Sequence, residues 1–130
     1  MKFLFDSNAI IAVLQGNAAL VTRMKVHRPS DFAISLIVAH ELYYGAYKSQ
    51  RRSENLARLD QLQFPVLEFD REDAVAAGEI RAALTSIGQP VGAYDVLIAG
   101  QARCRGLTLI SRNVREFSRI DGLALENWED

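Results

Sequence analysis

The chain has 130 residues, 49% of them hydrophobic and 24% charged, with 3 Pro, 8 Gly and a formal net charge of −1. This balance excludes disordered and fibrous classes, and it argues against a protein that coats nucleic acid by bulk electrostatics, because such domains are strongly basic. The lone cysteine, Cys104, excludes an intrachain disulfide and a C-x-x-C zinc site, and fits a reducing compartment.

One domain, residues 1–130, is expected, large enough to bury a core without a structural metal. Any metal would therefore serve chemistry. No basic stretch followed by an apolar run opens the chain, and no apolar segment reaches the length of a bilayer span, so it reads as soluble and cytoplasmic. Arginine outnumbers lysine, 12 to 3, a bias toward the planar fork that suits phosphate and carboxylate.

Lys2 to Phe5 reads as a short buried strand, followed by a helix from Asn8 to Leu14 that Gly16 stops. A second helix is predicted over Ala18 to Val26. Phe32 to Ile34 forms the next strand, and Ser35 caps a helix from Leu36 to Tyr47. After the charged stretch KSQRRSEN, Leu56, Leu59 and Leu62 fall at helical spacing, with Pro65 ending that helix. VLEF gives a third strand, and Asp70 caps a helix from Arg71 to Ile87. The turn-rich GQPVG leads into a helix from Tyr94 to Cys104, which Gly106 stops before the strand LTLIS. A short helix near Val114 to Phe117 and a strand around Leu123 to Asn127 complete the pattern. Short apolar strands alternating with helices predict a parallel sheet covered on its faces, an α/β class.

In such a sheet, functional groups collect where strands end and helices begin. Asp6 falls there, with a simple helix cap as the competing reading. Two further acids interrupt apolar runs in the same way: Glu41 is the only charged residue of LIVAHELYYGAY, and Asp95 the only one of VGAYDVLIAGQA. The other acids mix with Arg and Lys and read as solvated faces. Carboxylates brought together repel and either share a proton or hold a cation, and an all-oxygen set suits Mg²⁺ or Mn²⁺. Asn113, just past the strand that ends at Ser111, offers an amide oxygen that ligates weakly or orients water, or else caps a helix. Glu116, set among Arg112, Arg115 and Arg119, is a weaker substitute for Asn113 and otherwise reads as a surface ion pair. Ser7 and Asn8 flank Asp6 and read as hydrogen-bond supports for its carboxylate, as caps, or as both. His27 and His40 lack metal or catalytic spacing and read as structural, with a substrate contact open to His40 because it adjoins Glu41.

Four motifs in order, D-S-N from Asp6, E-L-Y-Y-G from Glu41, P-V-G-A-Y-D-x-x-I-A from Pro90 and S-R-N-x-x-E-F from Ser111, resemble those of the PIN domain ribonucleases. More narrowly, the chain is similar to the VapC toxins of bacterial type II toxin-antitoxin systems, from Phe3 to Trp128. The resemblance implies a three-layer α/β/α sandwich around a central parallel sheet, assembled as a homodimer. It implies a Mg²⁺- or Mn²⁺-dependent endoribonuclease whose acidic, metal-binding pocket matches Asp6, Glu41 and Asp95. The family's fourth acidic position falls at Asn113, which joins the catalytic set, and the hydroxyl before it at Ser111. Cleavage would leave a 5′-phosphate and a 3′-hydroxyl; Arg112, Arg115, Arg51 and Arg52 are candidates to grip RNA phosphates, with a solvated face as the competing and stronger reading of each. The stretch from Arg81 to Gly100 resembles a subgroup that cuts the anticodon loop of initiator tRNA. The resemblance also implies a VapB-type antitoxin, whose C-terminal segment covers the acidic pocket and whose N-terminal domain binds operator DNA.

Two other readings compete. Haloacid dehalogenase-type phosphatases also begin with a strand ending in Asp, but their second Asp two positions later is Asn8 here. An inert PIN-like scaffold is the non-enzyme alternative; the three retained acids argue against it, and Asn113 leaves it open.

Overall fold

The computed structural model describes all of residues 1–130. Five strands, β1 (Phe3–Phe5), β2 (Phe32–Ser35), β3 (Val66–Leu67), β4 (Thr108–Ile110) and β5 (Leu125–Glu126), form one parallel sheet in the order β3-β2-β1-β4-β5. Seven helices connect them: α1 (Ser7–Leu14), α2 (Ala18–Met24), α3 (Leu36–Lys48), α4 (Arg52–Asp60), α5 (Arg71–Ser86), α6 (Ala93–Cys104) and α7 (Val114–Phe117). Successive side chains of a strand point to opposite faces. Every residue of β1 and β2 is buried, so both faces of the sheet are covered and the fold is the three-layer α/β/α sandwich expected.

The two faces are filled differently. Phe3 and Phe5, on one face of β1, meet Trp128 edge-on at 4.8 and 5.7 Å between ring centroids, and Phe5 meets Phe64 at 5.2 Å. His27 stacks flat on Trp128 at 5.5 Å, which bears out its structural reading. On the opposite face Leu4 lies between Ala33 and Leu109, all fully buried. Gly16 and Gly106 adopt φ of 72° and 67° as they leave α1 and α6, the left-handed geometry that glycine permits without a steric cost.

Most boundaries shift by one or two residues from the sequence pattern, and α4 departs further. It begins inside the charged stretch, at Arg52, and ends at Asp60, well before Pro65. Proline holds the residue before it extended. The chain therefore leaves the helix early, and Phe64 turns inward to stack on Phe32 at 6.0 Å. The VLEF strand shrinks to Val66–Leu67 at the sheet edge.

Asp73 corrects the expectation that the remaining acids are solvated. It is fully buried, and the Arg105 guanidinium donates to both of its oxygens, at 2.9 and 3.2 Å. Gln101 donates to it at 3.1 Å, and Asp73 in turn accepts from the Asp70 N–H at 3.0 Å. Burial pushes the Asp73 carboxyl up, but the hydrogen bonds and charge of Arg105 outweigh that and hold it below the usual carboxylate range. This knot ties the end of α6 to the start of α5, so the two helices run antiparallel. Between them a Cβ on Gly100 would fall 2.7 Å from the Ala77 Cα, which means the helices touch backbone to backbone.

Gly100→Ala should therefore overpack the α5–α6 crossing and cost about 1–3 kcal/mol in urea denaturation. Arg105→Met should cost a similar amount, about 1–3 kcal/mol at pH 7, by stranding the buried Asp73 charge. A carboxyl with a depressed folded pKa contributes stability above its ordinary value of 3.8, and that contribution is lost as pH falls through the lower folded value. The gap between the native chain and Arg105→Met should thus narrow in denaturation curves taken at successively lower pH; a gap independent of pH would show that Arg105 acts through packing.

Candidate active site

The strand order places the site. From β1 the chain moves outward through β2 to β3 and then returns to lay β4 on the other side of β1, so the direction of winding reverses between β1 and β4. A crevice opens at such a switch point, beyond the carboxyl ends of the two strands. Phe5 pairs with Ile110, and the Asp6 N–H donates to the Ile110 carbonyl at 3.2 Å. Asp6 and Ser111, the first residues past their strands, consequently sit side by side, and both are buried.

Asp6 serves two roles at once. One carboxylate oxygen accepts from the Ala9 N–H at 2.8 Å and caps α1, which satisfies the competing reading, while the group as a whole faces other acids. Burial pushes its pKa up to about 6; the Ser111 hydroxyl and the Ala9 N–H hold it down, and the charges of Asp95 and Glu129 push it further up. Asp95 lies in the first turn of α6 against Gly92, and it too is raised, by burial first and then by the charges of Glu41 and Glu116. The charge of Asp95 thus reaches Asp6, and that of Glu41 reaches Asp95.

Several supporting assignments change. Ser7 does not hold Asp6: its hydroxyl donates to Glu41 at 2.8 Å and links α1 to α3. Asn8 is exposed, and its side chain supports no carboxylate. Asn113 precedes α7 without a side-chain cap; its amide donates to Glu116 at 3.3 Å, and its N–H donates to the Ser111 hydroxyl at 2.9 Å. Glu116 joins no ion pair and instead lends its charge to the acid cluster, contrary to its surface reading. Its arginine neighbours misled, because on a one-turn helix adjacent residues point in different directions. Glu129 was missed altogether: its charge reaches Asp6, and its Oε2 is buried without a hydrogen-bond partner.

Arg112 and Arg115 are exposed and free of ion pairs on the rim beside Asn113. Arg51 pairs with Glu54 of α4 at 3.8 Å, and Arg52 donates to the Tyr47 carbonyl of α3 at 2.9 Å, so both are engaged locally. An unexpected basic residue, Arg58, donates to the Leu14 carbonyl at 2.8 Å. With Ser7, Ile11, Glu41 and Leu59 it lines a groove of about 290 Å³ between α1, α3 and α4.

The donor set is chemically suited to a hard cation: buried or half-buried carboxylates, no sulfur, and repulsion that a cation would offset. No three acidic or imidazole side chains close into a ready-made ligand cage.

The PIN domain profile matches residues 3–123. The chain belongs to the PIN domain family. The match decides against the phosphatase reading. Within the family, this PIN domain is 39% identical to the tRNA(fMet)-specific endonuclease VapC of Shigella flexneri, over 98% of each chain. Its fold superposes with a TM-score of 0.93 and 39% identity on a chain in the crystal structure of DNA-bound VapBC from Salmonella typhimurium, again over 98% of both. VapBC2 from Rickettsia felis, bound to a DNA fragment from its promoter, matches with a TM-score of 0.91 at 30% identity, over 98% of this chain and 99% of that one. No helix of this PIN domain is long and apolar enough to cross a membrane.

The Asp6 carboxyl yields a prediction whose sign is fixed. Because its folded pKa of about 6 lies above the ordinary 3.8, ionisation costs stability; the cost is absent below pH 3.8, grows up to pH 6 and persists above. Asp6→Asn keeps a cap oxygen and removes the charge. In chelator it should raise stability at pH 7.5 by up to about 3 kcal/mol and leave it unchanged at pH 3.5, read by urea denaturation. Lower stability at pH 7.5 would show that the cap outweighs the charge.

Proposed function

We propose that this chain is the toxin of a VapBC-type pair: a Mg²⁺- or Mn²⁺-dependent endoribonuclease that hydrolyses phosphodiester bonds in tRNA, with initiator tRNA as the leading substrate. What supports this reading is the charge coupling of Asp6 to Asp95 and of Asp95 to Glu41 near the switch point, in a chain 39% identical over 98% of its length to a tRNA(fMet)-specific endonuclease. Cutting that RNA in the cytoplasm would stop translation and growth until a VapB-type antitoxin neutralised the chain.

Asp6, Glu41 and Asp95 would hold the cation, with Glu116 and Asn113 forming the adjacent wall. When bound, the cation supplies Lewis-acid polarisation of the phosphate and a nucleophile at neutral pH. The protein's own contribution is positional. Ser7 fixes the Glu41 carboxylate, and Ser111 and Ala9 orient Asp6. The unpaired guanidiniums of Arg112 and Arg115 suit RNA phosphates at the rim.

A homodimer and an antitoxin complete the proposed assembly, with operator DNA contacted through the antitoxin. The groove beside Glu41 supports the antitoxin reading, since a segment seated on Ile11 and Leu59 would lie next to the acids.

Incubating the purified chain with total tRNA in Mg²⁺ or Mn²⁺ and mapping new 5′ ends tests the proposal. A cut in one tRNA, lost in EDTA and in Asp95→Asn, is expected. Ser7→Ala should retain cleavage at a rate reduced about tenfold, the usual scale for a group that orients a metal ligand. Expression of the native chain should arrest growth, and Asp95→Asn at equal protein level should not. Absence of both cleavage and Mn²⁺ binding by a folded chain would favour the inert scaffold.

A further inference from the structure

The proposed function leaves one pair of side chains next to the acids unexplained. His40 precedes Glu41 on α3 and Tyr94 precedes Asp95 on α6, yet their rings meet across the two helices, edge to face, with centroids 5.8 Å apart and planes at 73°. Neither ring is buried: His40 is exposed and Tyr94 is 49% exposed. An edge-on pair covers at most one face of one ring, so ring faces stay open to solvent. One turn further along α3 comes Tyr44, 61% exposed, and beyond it Lys48, whose ammonium lies over the Tyr44 ring at 4.9 Å. Positions 40, 44 and 48 share one face of a helix. The result is a run of rings that starts at the acids and ends on a cation.

We propose that the His40–Tyr94 pair, continued by Tyr44, is a stacking platform for unpaired bases of the RNA next to the scissile phosphate. The inference rests on the ribonuclease reading above and says how that site holds its substrate. Sites that hold single-stranded nucleic acid combine aromatic faces, on which successive bases stack, with positive charge that follows the backbone. Only an unpaired base offers its face, so the platform selects a loop or single strand over a duplex. The alternation fits that chemistry better than a protein contact, because the rings carry polar edges and lie outside the apolar groove between α1, α3 and α4. His40 and Glu41 leave the same turn of α3, and Tyr94 and Asp95 the same turn of α6, so a stacked base would lie along the α3–α6 seam that carries two of the acids. His40 and Tyr94 are therefore positioning residues; they touch a base and leave the chemistry to Asp6, Glu41 and Asp95.

The test uses the full chain and a single-stranded ten-nucleotide RNA containing 2-aminopurine, whose fluorescence falls on stacking, measured in EDTA so that no cleavage intervenes. Titrating in the native chain should quench the probe. Tyr94→Ala should abolish most of the quench and weaken binding by about tenfold to a hundredfold, the range of one base–aromatic stack, while Tyr94→Phe should behave as the native chain. In Mg²⁺ with total tRNA, Tyr94→Ala should raise KM by a similar factor and change kcat less than about threefold. Absence of quench in the native chain, or equal quench in Tyr94→Ala, overturns the platform. So does an altered self-association of Tyr94→Ala with RNA binding unchanged, which would make the rings a protein contact. A loss in kcat alone would instead show that Tyr94 acts by placing Asp95, and would also overturn it. The two readings fail separately: a Tyr94-dependent quench without cleavage of any tRNA would refute the nuclease and keep the platform. Cleavage with no stacking would do the reverse.

Discussion

The register between β1 and β4 is the constraint on which the rest of the structure depends. With Phe5 opposite Ile110, the first residue beyond each strand is held in place by ladder hydrogen bonds, and Asp6 is set against Ser111 in the interior. A shift of one residue in a strand exchanges its two faces. Here it would put Phe3 and Phe5 where Leu4 belongs and separate Asp6 from its neighbours. The aromatic cluster around Trp128 on one face and the aliphatic layer around Leu4 on the other make that shift costly, so the packing of the core determines the position of the carboxylate.

The molecule then keeps mutually repelling charges at that point. Asp6 and Asp95 are both raised, chiefly by burial, and neither faces a basic partner among the ion pairs of the chain. Asp73 shows the opposite arrangement: it is buried at least as deeply, but Arg105 and Gln101 compensate it. The compensated acid lies at the far end of α6 from the uncompensated one. That clamp, with the close α5–α6 crossing at Gly100, holds α6 in place against the repulsion at its own first turn. One helix thus carries the partner of a compensated acid at its end and an uncompensated acid at its start.

Much of the site was legible because its acids are isolated in apolar stretches. Asp6, Glu41 and Asp95 stand where a core is being built, and local sequence offers them no partner, so the charge coupling of Asp6 with Asp95 and of Asp95 with Glu41 could be anticipated. The supporting residues could not be. Ser7 adjoins Asp6 in sequence but serves Glu41, since the first residue of a helix points away from its cap and toward the neighbouring helix. Glu116 and Asp73 were hidden by basic and acidic neighbours in sequence, which turned out to face solvent while these two carboxylates turned inward. The end of α4 was misplaced because Pro65 signals a boundary whose position depends on where Phe64 finds the core.

The sequence alone determined the alternation of strands and helices, the parallel class of the sheet and the three acids, because burial periodicity, capping residues and isolated charges are local properties of the chain. Strand order, the pairing of Ser7 with Glu41, the inward turn of Asp73, Glu116 and Glu129, and the meeting of His40 with Tyr94 were decided only by tertiary structure. Each joins elements distant along the chain. Such contacts are set by the register of the sheet and by how closely helices approach, and neither quantity is written in any short stretch of residues.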